Sequence, residues 1–452
     1  MDLAGKKILV VGLARTGVAC ARFLAGAGAR VTVYDQAPAA ALAEPRRELQ
    51  GLGVREELGA PQPAWPGYDL LLVSPGVPPE LPWLDAARQA GIPVWGELEL
   101  AGHFFTRPLI AVSGTNGKTT TTTLVGELLR ASGLTPLVGG NIGTPVVSLL
   151  ERQQDADFLV LEVSSFQLDT APNFHPQAAA LLNISPDHLD RYTGLPAYIA
   201  SKAGLFRSQG PGDLKVLNYD DPAVRPLGEG PGRVLYFSSQ EPLKKGAWLE
   251  NEAVRILLPG KLDERFPLQK ILLPGRHNQE NVMAALLLAL DAGAAPGACR
   301  EVLARFRGLP HRLERVAQVR GVDFYDDSKG TNVGAVARSL TFFAQPVILI
   351  AGGRDKDSDF SLLSPLIRER VKALVLMGET REQLARVWKD QAPICLVNDM
   401  KEAVRRAYDL ARPGEVVLLS PACASFDMFR DYAHRGATFQ KLVEELRDDP
   451  KS

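Results

Sequence analysis

Residues Leu109–Thr120, LIAVSGTNGKTT, carry an apolar strand straight into a glycine-bearing loop, one lysine and a pair of threonines. Strand, loop and helix in immediate succession is the repeating unit of an α/β sheet, and it narrows the fold more than any other segment. Backbone N–H groups of Gly114, Thr115, Asn116 and Gly117 can wrap phosphate oxygens, Lys118 adds a point charge, and Thr119 or Thr120 offers a hydroxyl to Mg²⁺. The following TTTLVGELLR has helical spacing, so its N-terminus points at the same anion. The usual phosphate loop has four residues between its glycines, whereas Gly114 and Gly117 enclose two, and an ordinary glycine turn ahead of a lysine is the alternative reading.

A chain of 452 residues, 46% apolar and 23% charged, suits about three globular domains. Its formal net charge of -1 offers no basic face for nucleic acid, so small anionic ligands held by local loops fit better. Cys20, Cys299, Cys395 and Cys423 lie far apart, without zinc-site spacing or disulfide density, which points to a reducing cytoplasm. The start, MDLAGKKILVVG, enters a strand without a long apolar signal core, and no apolar run reaches spanning length. Neither secretion nor membrane insertion is expected.

The first third alternates short apolar runs (KKILVVG, ARVTVYD, YDLLLVSPGV, IPVWGELEL) with helical stretches, the pattern of a parallel sheet covered by helices. The turn Gly12-Leu13-Ala14-Arg15-Thr16-Gly17 resembles a dinucleotide fingerprint, with Asp35 ending the next strand at about the expected distance. Ala14 replaces the glycine that lets a backbone approach a pyrophosphate, so a turn that merely packs strand against helix is equally compatible. A middle block mixes strands such as DFLVLEVSSF and AAALLNIS with long helices, and a third block runs through VDFYDDS, QPVILIAGG, KALVLMG and GEVVLLSPA. The expected fold is therefore α/β in three domains: a Rossmann-like domain over 1–98, a P-loop ATPase-like domain with a parallel or mixed sheet over 99–309, and a second Rossmann-like domain over 310–452.

Glu162 ends a strand and His188 follows another, and the carboxyl ends of parallel strands are where such sheets bind ligands. Glu162 suits Mg²⁺; a histidine flanked by acids also reads as a polar loop residue. Nothing local distinguishes Lys202 from a surface lysine, and Asn278 and Asn281 read first as helix caps. In the third block Asp327, Lys329, Thr331, Lys356 and Ser425 all follow expected strands, where lysines and hydroxyls could divide the charges of a small carboxylate ligand.

Taken together, SGTNGKTTTT, GGNIGTP, LEVSSFQL, NISPDHLDRY, GRHNQEN, LPHRLE, DDSKGTN and LSPACASFDMF stand in an order and spacing that resembles the Mur ligase family of peptidoglycan synthesis, across all three domains. The DSKGTN and LSPACASFDMF segments look most like the members that add D-glutamate to UDP-N-acetylmuramoyl-L-alanine. The resemblance implies that Thr16, Asp35 and Ser74 lie along the uridine and its phosphates, and that Asn141, Ser164 and Gln167 contact the muramoyl substrate. It implies ATP phosphates at Lys118 and Thr119, one Mg²⁺ at Thr119 and Glu162, and a second at His188 and a Lys202 carbamylated by CO₂. His188 is a candidate base for the incoming amine only where it is free of metal. Asn278, Asn281, Arg312 and Asp327 would flank ATP, with Lys329, Thr331, Lys356, Ser425 and Tyr432 near D-glutamate. Ala37 lacks the cation that some relatives place beside the uridine phosphates. The implied protein is a cytoplasmic monomer acting on small molecules, with neither nucleic acid nor membrane as partner. Three readings compete: a relative adding another amino acid, an NAD-dependent oxidoreductase suggested by the first glycine turn, and a nucleotide sensor without catalysis.

Overall fold

The computed structural model describes residues 1–448 apart from 79, 189–190, 261, 274 and 356–357. It divides into two compact units, one formed by Met1–Ile184, Pro196–Leu272 and Asn278–Phe306, the other by Ser185–Leu195, Leu273–His277 and Arg307–Ser452. Among the described residues there are three sheets, two in the first unit and one in the second.

The first sheet comprises β1 (Lys7–Val11), β2 (Arg30–Asp35), β3 (Arg55–Leu58), β4 (Leu70–Val73) and β5 (Val94–Gly96). All are parallel in the order β3-β2-β1-β4-β5, so the chain reverses direction across the sheet between β1 and β4. The expected strands are present; β3 is an addition, its REEL sequence too polar to register as a strand.

The second sheet is built from β6 (Leu109–Ser113), β7 (Pro136–Gly140), β8 (Phe158–Glu162), β9 (Ala178–Leu181), β10 (Leu214–Asn218), β11 (Arg233–Ser238), β12 (Gly246–Glu250), β13 (Ala253–Leu258) and β14 (Leu262–Pro267). Its order is β14-β13-β12-β11-β10-β9-β6-β8-β7, parallel from β7 to β12 and antiparallel through β13 and β14. Each residue of β6, LIAVS, is buried, as expected of a central parallel strand covered on both faces. The helix Arg276–Asp291 packs here with every residue from Asn281 to Leu290 buried, so it reads as apolar all round.

The third sheet contains β15 (Glu314–Val319), β16 (Val322–Asp326), β17 (Val347–Ala351), β18 (Val371–Leu376), β19 (Ile394–Leu396) and β20 (Val416–Leu419), ordered β15-β16-β20-β17-β18-β19. Only β15 runs antiparallel among these described strands. Two apolar cores cover its faces, one around Leu349, Leu374 and Trp388, the other around Phe324, Ile350 and Phe439.

Within the first unit, the short helix Glu97–Gly102 that follows β5 ties the first sheet to the second. Gly96 N–H donates to Thr170 O at 2.8 Å. Glu99 accepts from Asn173 N at 2.9 Å and from its Nδ2 at 2.8 Å. Glu97 Oε1 accepts the Val147 N–H at 3.1 Å. With Glu97 only 2% exposed, burial pushes its carboxyl up to about 7, against the opposing pull of the Val147 and Val146 amides.

A carboxyl raised in the folded state from its ordinary value of 4.5 contributes its full stability below that value and loses it as pH climbs through about 7. Glu97→Gln keeps an acceptor and never ionises. The variant's melting temperature is expected to exceed that of the parent by a few degrees at about pH 8, with the gap narrowing towards about pH 5. A pH-independent gap in a thermal melt series would refute the assignment.

Candidate functional site

The phosphate-type loop after β6 is held by its own backbone and by one neighbouring asparagine. Thr115 N–H donates to Asn183 O at 2.9 Å, Asn116 N–H donates to Asn183 Oδ1 at 2.9 Å, and Asn183 Nδ2 returns a bond to Asn116 O at 3.1 Å. Asn183 follows β9, the strand beside β6, and nothing in its local sequence announced this role. Gly117, at φ +84, opens the helix Lys118–Ala131. A Cβ there would press on the Asn281 side-chain oxygen and sit on a left-handed backbone, so the position favours glycine. Thr119 is half-buried and Thr120 buried in the first turn. First-turn amides of such a helix attract anions.

Two lysines converge on one carbonyl. Lys118 Nζ donates to Gly114 O at 2.8 Å and to Thr115 O at 2.9 Å, while Lys202 Nζ donates to the same Gly114 O at 3.0 Å. Lys202 is 1% exposed and its ammonium lies 4.6 Å from the centre of the Tyr198 ring, so it is no surface lysine. Tyr198 OH sits 3.3 Å from Thr115 Oγ1, which brings a further residue to the loop that the sequence did not single out.

Glu162 ends β8 opposite Val112 of β6 and Gly140 of β7. Its Oε1 accepts from Asn141 Nδ2 at 2.8 Å. Its Oε2 is buried and has no hydrogen-bond partner. An orphaned carboxylate oxygen at a strand end, with threonine hydroxyls in the adjoining helix, is the donor chemistry of a Mg²⁺ site. Ser164 and Gln167 form a capping box on the short helix Ser165–Leu168. Asn278 and Asn281 lie inside the helix Arg276–Asp291 rather than at its cap, with Asn281 Nδ2 donating to Asn278 Oδ1 at 3.2 Å.

At the reversal point of the first sheet, Ser74 Oγ donates to Gly12 O at 2.9 Å, linking the loops after β4 and β1. Asp35 spends both oxygens on backbone, accepting Leu13 N–H at 2.8 Å and Ala37 N–H at 2.9 Å. It therefore shapes the glycine turn. Thr16 lies half-buried in the first turn of the helix Arg15–Gly26.

In the second unit, His188 takes a left-handed backbone, φ 55, and its neighbour Asp187 Oδ2 accepts Asn332 Nδ2 at 3.0 Å. Asp327 is buried, accepting Ser339 Oγ and Ser420 Oγ at 2.7 Å each and Leu313 N–H at 3.2 Å. Burial pushes its carboxyl up to about 6, opposed by those hydroxyls and by the Arg312 charge. Lys329 Nζ lies 3.9 Å from the centre of the Tyr432 ring, Thr331 N–H donates to Lys329 O at 2.8 Å, and Ser425 is buried in the loop after β20. Lys356 falls outside the described residues. Behind this rim His311 Nδ1 pairs with Asp326 Oδ2 at 2.6 Å, and Gln440 Nε2 donates to Glu314 Oε2 at 2.9 Å and to Asp326 Oδ2 at 2.8 Å. His311, Glu314 and Asp326 have metal-like spacing, yet hydrogen bonds among themselves and from Gln440 already engage them.

Comparison with known proteins extends along the chain. The N-terminal domain of MurD-like Mur ligases matches residues 6–96, the Mur ligase middle domain 112–289, and the glutamate ligase domain of Mur ligases 311–423. A UDP-N-acetylmuramoylalanine--D-glutamate ligase of Geobacter metallireducens is 47% identical, covering 99% of each chain. Its counterpart from Geotalea uraniireducens is 46% identical over 99% of each. Among solved structures, a pseudomurein peptide ligase type C from Methanothermus fervidus aligns with TM-score 0.60 at 17% identity, covering 98% of this chain and 100% of that one. The UDP-N-acetylmuramate-alanine ligase of Thermotoga maritima gives 0.59 at 19%, covering 97% and 99%. The structural likenesses speak to the fold.

Gly117→Ala is expected to weaken nucleoside triphosphate binding by about tenfold or more, because the methyl group displaces Asn281 and strains the loop. Calorimetric titration with ATP checks this; unchanged affinity would show that the loop is not the anion cradle.

Proposed function

The chain belongs to the Mur ligase family, and from that premise we propose that it joins D-glutamate to UDP-N-acetylmuramoyl-L-alanine at the expense of ATP, a step of peptidoglycan synthesis. The observation that carries this is the 47% identity over 99% of both chains, since it includes both terminal domains and not the nucleotide-binding middle alone. Domain limits of 1–98, 99–309 and 310–452 are part of the proposal.

The alanyl carboxylate is a poor acyl donor. Attack of its oxygen on the γ-phosphorus of ATP releases ADP and leaves an acyl phosphate. The amine of D-glutamate then adds to the acyl carbon, phosphate departs, the amine gives up a proton, and an amide remains. Lys118, held over the loop by Gly114 O and Thr115 O, is assigned to the phosphates, where its charge offsets repulsion between two anionic reactants. Mg²⁺ would be held by Glu162 and the Thr119 hydroxyl, and its charge would further neutralise the phosphoryl oxygens. The unpartnered Oε2 of Glu162 supports that ligand choice.

A second metal site, with His188 and a carbamylated Lys202 as ligands, is part of the same proposal. Two ammonium groups on one carbonyl support the modification, because a carbamate on Lys202 replaces one of the two like charges with a negative one. Thr16, Asp35, Ser74, Asn141, Ser164 and Gln167 are assigned to the UDP-muramoyl substrate, Asn278, Asn281, Arg312 and Asp327 to ATP, and Lys329, Thr331, Lys356, Ser425 and Tyr432 to D-glutamate. No helix among the described residues is long and apolar enough to cross a membrane; a cytoplasmic monomer is proposed. The oxidoreductase reading gives no role to the phosphate loop with Lys118 or to the orphaned oxygen of Glu162, and the full-length likeness to D-glutamate ligases counts against it.

Purified protein given ATP, Mg²⁺ and UDP-N-acetylmuramoyl-L-alanine is expected to release phosphate and form ligated product with D-glutamate, but not with L-glutamate, L-lysine or no amino acid. Turnover with another amino acid would overturn the substrate assignment. In the same assay Lys118→Ala and Glu162→Gln are each expected to lower turnover by about a hundredfold or more, and near-normal rates would remove those residues from the mechanism.

A further inference from the structure

Arg435 lies one turn into the C-terminal helix Tyr432–Asp448 and is 2% exposed. None of its hydrogen-bond acceptors among the described residues is charged, although Asp427, Asp326 and Asp327 are near enough to favour its charged form. Nε donates to Ser328 Oγ at 3.0 Å and Nη2 to Ser328 O at 2.8 Å, in the loop after β16. Nη2 also donates to Cys423 O at 3.1 Å and Nη1 to Ala424 O at 3.4 Å, in the loop after β20. Taking a guanidinium out of water for neutral acceptors is costly, and burial lowers its pKa to about 10.

The placement of those acceptors is what the cost accomplishes. In each loop the residue next in sequence is one assigned above to the amino acid: Lys329 follows Ser328, and Ser425 follows Ala424. The two loops also touch directly, Ala422 N–H donating to Gly330 O at 2.9 Å. The loop after β17 closes on the same guanidinium, for a Cβ on Gly353 would sit 2.2 Å from Ala424 O and 3.2 Å from Arg435 Nη1. Three residues before Arg435, Tyr432 O accepts the Ser328 hydroxyl at 2.8 Å, while its ring underlies Lys329 Nζ. One helical turn thus sets both the spacing of the loops and the direction of the lysine. A planar fork with fixed N–H directions can do this, and a lysine ammonium cannot.

Resting on the reading of this rim as the amino-acid site, we propose that Arg435 is a positioning residue: it sets the separation of Lys329 and Ser425, and affinity for the acidic amino acid depends on it without contact to that substrate. The full-length Arg435→Lys variant, which keeps the charge but not the fork, is expected to raise KM for D-glutamate about tenfold or more. KM for ATP and for UDP-N-acetylmuramoyl-L-alanine is expected to stay within about twofold, and the melting temperature within a few degrees. Arg435→Met is expected to lose more, with Arg435→Lys giving partial rescue. An unchanged KM for D-glutamate, or equal rises for all three substrates, overturns the proposal; if Arg435→Met does not fold, Arg435→Lys decides. If the parent protein turns over a different amino acid, the functional reading fails by itself, and the KM of Arg435→Lys for that amino acid decides the role of Arg435.

Discussion

The carbonyl oxygen of Gly114 accepts hydrogen bonds from both Lys118 and Lys202, and much of the first unit is arranged to make that possible. The carbonyl can face two lysines because Gly114 stands at φ +151, outside ordinary side-chain territory. The loop stays in place because Asn183, at the end of the neighbouring strand, binds both Thr115 and Asn116. A parallel sheet supplies this neighbourhood: strands β6, β8 and β9 deliver their carboxyl ends to one edge, bringing the phosphate loop, Glu162 and Asn183 together from three parts of the chain.

The same economy of parallel sheets explains the glycine turn at residues 12–17. Gly17 packs against the turn so closely that a Cβ would lie 1.9 Å from Gly12 O, and Asp35 holds Leu13 and Ala37 through their amides. Strand and helix packing thus accounts for the glycines at both ends of this turn, and Asp35 braces the turn through backbone amides.

Much of the architecture was legible because buried parallel strands are written as continuous apolar runs: KILVV, LIAVS, VILIA and VVLL are each a strand. Polar edge strands were not. REEL at β3 and ERVAQV at β15 lack such a run, and the β12 to β14 meander carries arginines and acids that pair across its exposed face, as Arg255 does with Glu250 and Asp263. Within the candidate site, the phosphate loop and Glu162 could be read from local spacing. Asn183, Tyr198 and Arg435 could not, because each acts on residues far along the chain, Arg435 on a serine 107 positions earlier. Lys202 looked like surface lysine because burial is a property of what packs over a helix, not of the helix's own sequence.

The division of the chain bears on how it is made. Residues 185–195, with Asp187 and His188, belong to the second unit although they interrupt the first. The asparagine that anchors Asp187 is Asn332, 145 residues later. On a ribosome, at about 5–20 residues per second, this segment emerges well before its partner exists. The second unit, most of which lies in Arg307–Ser452, is therefore assembled only long after its first segment has left the ribosome, and that segment waits for a partner made much later.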